Sequence, residues 1–364
     1  MPPTTSSTKT PSDLGIRYYE TVPEIERAGL AVVDVRSEKE FARGAIPGAI
    51  NVPLLLDQQR HEVGLTYKTI GRQDAVDRGL ELFAQRADVM RDKLFEVAGG
   101  KPLVIHCWRG GMRSGFVAAW LRAMGQETWV IKGGYKVFRR DTLALLAKLE
   151  EHPLLVLNGR TGSGKTSLLE ALPRGFPLID FELLARHRGS AFGDFAQPEP
   201  VPTPQNFENR LAGAYFRVRH HPELLVEIEN FLGPLRLSMP LRNNVQRSPM
   251  VFVSRDFDDR VARIAAVYAD NWSEDASDRF AARVEEFLKK SLPTALRGEL
   301  VQAVRARRFD EAITSLLKER YDRLYDKSLH RHRDQVLAEF NLTHEWEAAL
   351  RFVHRRFNVE GGPA

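Results

Sequence analysis

Short apolar runs rich in β-branched residues punctuate the first half of the chain, separated by stretches with helical spacing. AVVDV (31–35), PLVIHC (102–107) and TWVI (128–131) have the length and composition of buried strands. Between them lie a long amphipathic stretch at about 74–98 and a predicted helix from Met112 to Met124. The pattern then repeats, with LLVLNG (154–159), PLID (177–180), LLVEIE (224–229) and MVFVS (250–254) as further strands. Strands alternating with helices predict two α/β units in series, each on a mainly parallel sheet with its function at the strand C-terminal ends. Residues 133–151 read as a helix leading out of the first unit. QPEPVPTPQ (197–205) is too proline-rich for helix or central strand and is predicted to be a surface loop. From Asp256 onward nearly everything reads as helix, and no solenoid-type repeat is found.

Composition narrows the class. At 364 residues the chain is too long for one comfortable core, and its 43% hydrophobic and 28% charged residues suit an ordinary globular protein. No apolar run approaches the roughly 18 residues that span a bilayer, so no membrane partner is expected. MPPTTSSTKTPSD lacks the apolar core of a secretory signal, and residues 1–14 read as a disordered tail. One cysteine excludes an internal disulfide framework and a multi-cysteine metal site, and fits a reducing cytoplasm. The net charge of +5, the pI near 9.3 and the basic clusters RARR (305–308) and HRHR (330–333) suit an anionic partner such as RNA.

That one cysteine, Cys107, sits in HCWRGGMRS (106–114), between a predicted strand and a predicted helix. Gly110 and Gly111 permit a tight curl whose backbone N–H groups face whatever the thiol holds, with the helix N-terminus behind them. Arg109 and Arg113 supply the charge that lowers a thiol pKa, and Arg113 is spaced for a two-pronged contact with a phosphate-like group. A packing cysteine needs none of these neighbours. Cys107 is therefore the candidate nucleophile, although Cys-x5-Arg fits a phosphatase loop as well.

GRTGSGKT (159–166) matches the phosphate-binding loop G-x-x-x-x-G-K-[ST] in the required strand–loop–helix setting, with the helix expected over 165–172. Gly159, Arg160, Thr161, Gly162, Ser163 and Gly164 form the wrap around a diphosphate. Lys165 neutralises it, and Thr166 is placed to hold Mg²⁺ if that ion is used. Glu227 or Glu229 is either the acid on the metal side or a plain strand-end charge. Asp180 either acts as base or substrate orienter, or caps the following helix. Arg260 and Arg263 either reach phosphates or lie on a solvated helix face.

DVRSEKEFARGAIPGAINVPLL (34–55) resembles the rhodanese signature, and IKGGYKVF (131–138) resembles the turn after that family's last strand. Joined to a phosphate-binding loop, the whole resembles the tRNA 2-selenouridine synthase family. RHEVGLTYKTIG (60–71), HRGSAFG (187–193), QPEPVPTPQNFEN (197–209), VEIENFLG (226–233) and YDRLYDKSL (321–329) extend the resemblance over nearly the full chain. It implies a rhodanese-like parallel-sheet domain over 15–138 and a linker helix over 139–152. A P-loop kinase-like α/β domain with a helical C-terminal region follows over 153–364.

The activity implied is replacement of sulfur by selenium at the wobble 2-thiouridine of tRNA. Selenophosphate from a supplying enzyme is the donor, and geranyl diphosphate the source of an S-geranyl intermediate, with no tightly bound cofactor. The seven-residue loop from Cys107 through Arg113 is, in the rhodanese superfamily, associated with larger phosphate-bearing substrates. Trp108 either stacks on the splayed wobble base or packs on its own loop. Three alternatives remain: a rhodanese sulfurtransferase coupled to a P-loop ATPase or small-molecule kinase, a phosphatase, and a non-catalytic RNA-binding sensor.

Overall fold

The computed structural model describes residues 15–187, 199–227, 232–269, 274–289 and 292–358. Two compact units divide the chain. One runs up to Leu145 and takes in Glu208–Gly213; the other comprises Leu146–Phe207 and the residues from Ala214 onward.

The first unit is built on five parallel strands in the order β1-β5-β4-β2-β3 (β1 Gly15–Ile16, β2 Ala31–Asp34, β3 Ile50–Asn51, β4 Leu103–His106, β5 Thr128–Ile131). Central β4 is buried at all four positions, which is why Leu103, Val104 and Ile105 form a continuous apolar run rather than an alternating one; the fourth residue is the buried His106. Successive residues still part to opposite faces. Val33 and Ile105 pack with Met90, Leu94 and Leu121, whereas Val32 and Val104 pack with Ile25, Tyr135 and Phe138.

Helices α1 (Tyr18–Ala28), α2 (Glu38–Arg43), α3 (Asp57–Thr69), α4 (Arg72–Ala84), α5 (Ala87–Ala98), α6 (Met112–Ala123) and α7 (Gly134–Leu149) complete this part of the chain. The amphipathic stretch at 74–98 is thus two helices. Arg86 leaves the helical region at φ −133°, ψ 8°, and its guanidinium donates to the Pro53 carbonyl at 2.8 Å. The expected exit helix is α7, within which the two units divide.

The second unit carries a five-stranded parallel sheet in the order β10-β9-β6-β8-β7 (β6 Leu154–Gly159, β7 Leu178–Asp180, β8 Leu224–Glu227, β9 Met250–Ser254, β10 Val336–Asn341). Its helices are α8 (Lys165–Glu170), α9 (Phe181–Ala185), α10 (Pro204–Val218), α11 (Met239–Arg247), α12 (Phe257–Ala269), α13 (Glu274–Leu288), α14 (Thr294–Arg305), α15 (Phe309–Leu316), α16 (Asp322–Arg331) and α17 (Trp346–Arg356). Leu155, Leu157, Leu225, Val251 and Val253 form its core with Ala349 and Val353 of α17.

Two expectations are corrected here. The helical C-terminal region contains a strand, β10, beside β9; its Leu, Ala and Glu are good helix formers, and as an edge strand it has no fully buried position. The proline-rich loop gives way to helix at Pro204, where Thr203 accepts from the Asn206 N–H and proline occupies the tolerated first turn. Among the described residues no helix is long and apolar enough to cross a membrane.

At the end of β2, Arg36 is buried to 1% exposure and forks onto buried Asp34, with contacts between 2.5 and 3.0 Å. Its guanidinium also donates to the Gly44 carbonyl at 2.7 Å and lies 3.9 Å from the centre of the Tyr135 ring. Asp34→Ala would strand the Arg36 charge in this interior, so we expect a stability loss of about 3–5 kcal/mol in denaturant unfolding. A loss below about 1 kcal/mol, the scale of a surface pair, would show that the fork does not hold this end of the sheet.

Candidate functional site

Cys107 follows β4 directly and is 3% exposed. Its Sγ lies 3.2 Å from the Ser114 hydroxyl, in the first turn of α6. Burial pushes the thiol up. The Ser114 hydroxyl and backbone N–H, the Arg113 charge and the Arg109 backbone N–H together outweigh it, leaving the thiol below its ordinary value. The chemistry available is that of a buried, hydrogen-bonded thiol of lowered pKa in a loop that opens a helix.

The loop owes its shape to α7. Tyr135 N–H donates to the Cys107 carbonyl and Lys136 N–H to the Trp108 carbonyl, each at 2.9 Å. This requires Gly134, with φ +57°: a Cβ there would sit 2.3 Å from the Cys107 oxygen and 2.4 Å from the Gly110 nitrogen.

The two predicted arginines part company. Arg109 is exposed. Arg113 is engaged by Glu40 of α2, its two terminal nitrogens lying 2.8 and 3.4 Å from the carboxylate oxygens. Burial opposes the Arg113 charge but Glu40 overcomes it and holds the guanidinium protonated. Any phosphate on this loop must therefore share Arg113 with Glu40, which is also 3.5 Å from Arg60. Trp108 is 40% exposed and its ring centre is 5.9 Å from that of Tyr135.

In the second unit the phosphate-binding loop leaves the end of central β6 and enters α8 at Lys165, a helix two residues shorter than expected. Gly159 is packed against β9, where a Cβ would lie 2.2 Å from the Val253 oxygen. Lys165 is buried, donates to the Gly159 carbonyl at 2.9 Å and lies 4.0 Å from Glu227 of β8. Glu227 is 1% exposed, while Glu229 lies outside the described residues. Thr166 is exposed; the Ser163 hydroxyl is buried with no hydrogen-bond partner among the described residues. Asp180 caps α9, accepting from Leu183 N–H at 2.8 Å, and burial pushes its carboxyl up.

Arg260 does not lie on a solvated face. It is buried, donates to the Thr161 carbonyl at 2.9 Å and forks onto Asp322 at 2.6 and 3.0 Å. Arg160 pairs with Asp326, and the Thr161 hydroxyl is 3.4 Å from that of Tyr325. Arg255 donates to the Ser163 carbonyl at 3.2 Å, and Arg263 to the Ser167 hydroxyl at 2.6 Å. Sequence reasoning assigned no role to Ser114, Glu40, Arg255 or Asp322. Only Asp322 left a signal, the repeated Tyr-Asp of YDRLYD (321–326).

The family model described as the tRNA 2-selenouridine synthase AAA domain matches residues 152–356, and the rhodanese-like domain model matches 20–141. A tRNA 2-selenouridine synthase of Marinobacter nauticus is 32% identical over 336 residues, 84% of this chain and 90% of that protein. One from Cupriavidus necator is 39% identical over 278 residues, 71% of this chain and 73% of the relative. One from Shewanella denitrificans is 32% identical over 368 residues, 91% and 99% of the two chains.

If the Ser114 hydrogen bond lowers the thiol pKa, Ser114→Ala raises the pH midpoint of Cys107 alkylation by iodoacetamide. An unchanged midpoint would assign the lowered pKa to the loop backbone and Arg113 alone.

Proposed function

The chain belongs to the tRNA 2-selenouridine synthase family, and on that premise we propose that it exchanges sulfur for selenium at a wobble 2-thiouridine, with selenophosphate as donor and an S-geranyl intermediate made from geranyl diphosphate. Formation of 2-selenouridine in tRNA is the activity that the relatives' name carries. The observation that supports the finer reading is the presence on one chain of a lowered-pKa thiol in a helix-opening loop and a phosphate-binding loop with a buried lysine.

The two loops divide the chemistry. Lys165 and the backbone amides of 159–166 hold the diphosphate of geranyl diphosphate while the uridine sulfur attacks its first carbon. The carbon–oxygen bond breaks and diphosphate leaves with the electron pair. Alkylation converts the poor thiocarbonyl leaving group into a good one. The selenium of selenophosphate then bonds to C2, the C2–sulfur bond breaks and geranyl thiolate departs, and water cleaves the selenium–phosphorus bond, releasing phosphate and leaving the selenocarbonyl.

Selenophosphate is received at the Cys107 loop, with exposed Arg109 and the shared Arg113 on its phosphate. Thr166 and Glu227 are the residues that would hold Mg²⁺, a hydroxyl and a carboxylate being a donor set that suits an ion keeping most of its waters and binding substrate phosphates. The basic excess meets the tRNA backbone, an attraction that weakens with salt.

The test is mass spectrometry of tRNA nucleosides from cells lacking the protein and complemented with wild type, Lys165→Ala or Cys107→Ala. Lys165→Ala is expected to slow geranylation about 100-fold or more. Cys107→Ala is expected to let geranylated 2-thiouridine accumulate at the expense of 2-selenouridine. Full restoration of 2-selenouridine by both variants would overturn the division of labour.

A further inference from the structure

The first unit contains a cavity of about 970 Å³ among α3, α4, α6 and the loop that follows Cys107. Its size is at the top of the range for small-molecule sites, roughly 300–1,000 Å³. Leu54, Leu55, Val63, Ala75, Phe83 and Phe116 give it an apolar lining. Leu65, Tyr67, Leu80 and Met112 also line it, yet each remains more than 40% exposed. Apolar side chains left in solvent around one concavity are the mark of a binding surface rather than of packing. Helix α3 points the same way, since it buries none of its thirteen residues.

The polar part of the lining has one sign. Arg60, Lys68, Arg72, Arg109 and Arg113 contribute cations, and no lining residue is acidic. Glu40 offsets part of that charge through Arg113 and Arg60 without itself lining the space. An apolar interior with cationic groups at its margin is complementary to an apolar chain attached to an anionic body.

We infer that this cavity binds the geranyl chain of S-geranylated tRNA, the cations meeting the backbone phosphates around the modified base. The inference rests on the function proposed above and adds a place for the intermediate. The intermediate is favoured over geranyl diphosphate because Arg109, Met112 and Arg113, which line the cavity, belong to the stretch immediately after Cys107. A chain seated there carries its sulfur-bearing carbon to the thiol loop. The same cavity then selects alkylated over unalkylated tRNA for the selenium step, because only the former has a chain to bury.

The test uses the full chain and two anticodon stem-loop RNAs, one with S-geranyl-2-thiouridine and one with 2-thiouridine at the wobble position. Gly64→Leu fills the cavity from α3, where an added Cβ meets nothing within 4 Å, and Leu80→Asp places an anion in a wall that is already exposed. Wild type is expected to prefer the geranylated RNA by on the order of tenfold or more, and both variants to bring that ratio toward one. No preference in wild type, or a ratio untouched by both variants, overturns the inference. So does a loss of geranyl diphosphate binding in Gly64→Leu with the RNA preference intact, which would make the donor the occupant. Preference for geranylated RNA without its conversion to 2-selenouridine by wild type and selenophosphate would support the cavity and sink the proposed function instead.

Discussion

Everything that bears on Cys107 depends on how closely the first turn of α7 approaches the cysteine loop. The backbones come so near at Gly134 that no side chain fits, and the carbonyls of Cys107 and Trp108 are drawn into hydrogen bonds with Tyr135 and Lys136. With its carbonyls bound on that side, the loop can offer amides to the thiol; the Ser114 and Arg109 N–H groups both lower its pKa. Tyr135 is itself held under Arg36, and Arg36 is forked onto Asp34. A buried ion pair at the end of β2 thus supports the geometry of the cysteine loop that follows β4.

The second unit solves the same problem with different side chains. Arginines bind the carbonyls of its phosphate-binding loop: Arg260 takes that of Thr161, Arg255 that of Ser163, and Lys165 turns back onto that of Gly159. Arg260 is buried, and Asp322 supplies the opposite charge in a two-pronged contact. Asp322, in the YDRLYD stretch, is therefore structural support for the loop. In both units loop carbonyls are bound by the chain itself, those of Cys107 and Trp108 in the first and those of Gly159, Thr161 and Ser163 in the second.

What could be read from the sequence was local. Cys107 with its glycines, and the 159–166 loop with its lysine, declare themselves within nine residues. The two parallel sheets follow from apolar runs alternating with helices. What could not be read lies far apart in the chain: Glu40 reaches Arg113 across 73 positions, and Asp322 reaches Arg260 across 62. Strand β10 escaped because an edge strand that includes the helix formers Leu337, Ala338 and Glu339 carries little strand signal. Helix α3 left only faint periodicity for a different reason. Periodicity reports burial against the protein, and this helix turns its apolar residues toward a cavity.

The Glu40–Arg113 pair changes how the thiol is understood. Read from spacing alone, Arg113 both lowers the thiol pKa and grips a phosphate, two tasks that compete for one guanidinium. In the folded chain the Ser114 hydrogen bonds outrank the Arg113 charge among the influences that lower the Cys107 pKa. The lowering of the thiol pKa therefore rests on Ser114 ahead of Arg113. Glu40 keeps Arg113 ionised inside a partly buried site, and Arg60 stands 3.5 Å from the same carboxylate. Glu40 thus has two cations beside it, Arg113 and Arg60. The strongest influence that lowers the thiol pKa and the guanidinium held by Glu40 thus belong to different side chains, Ser114 and Arg113.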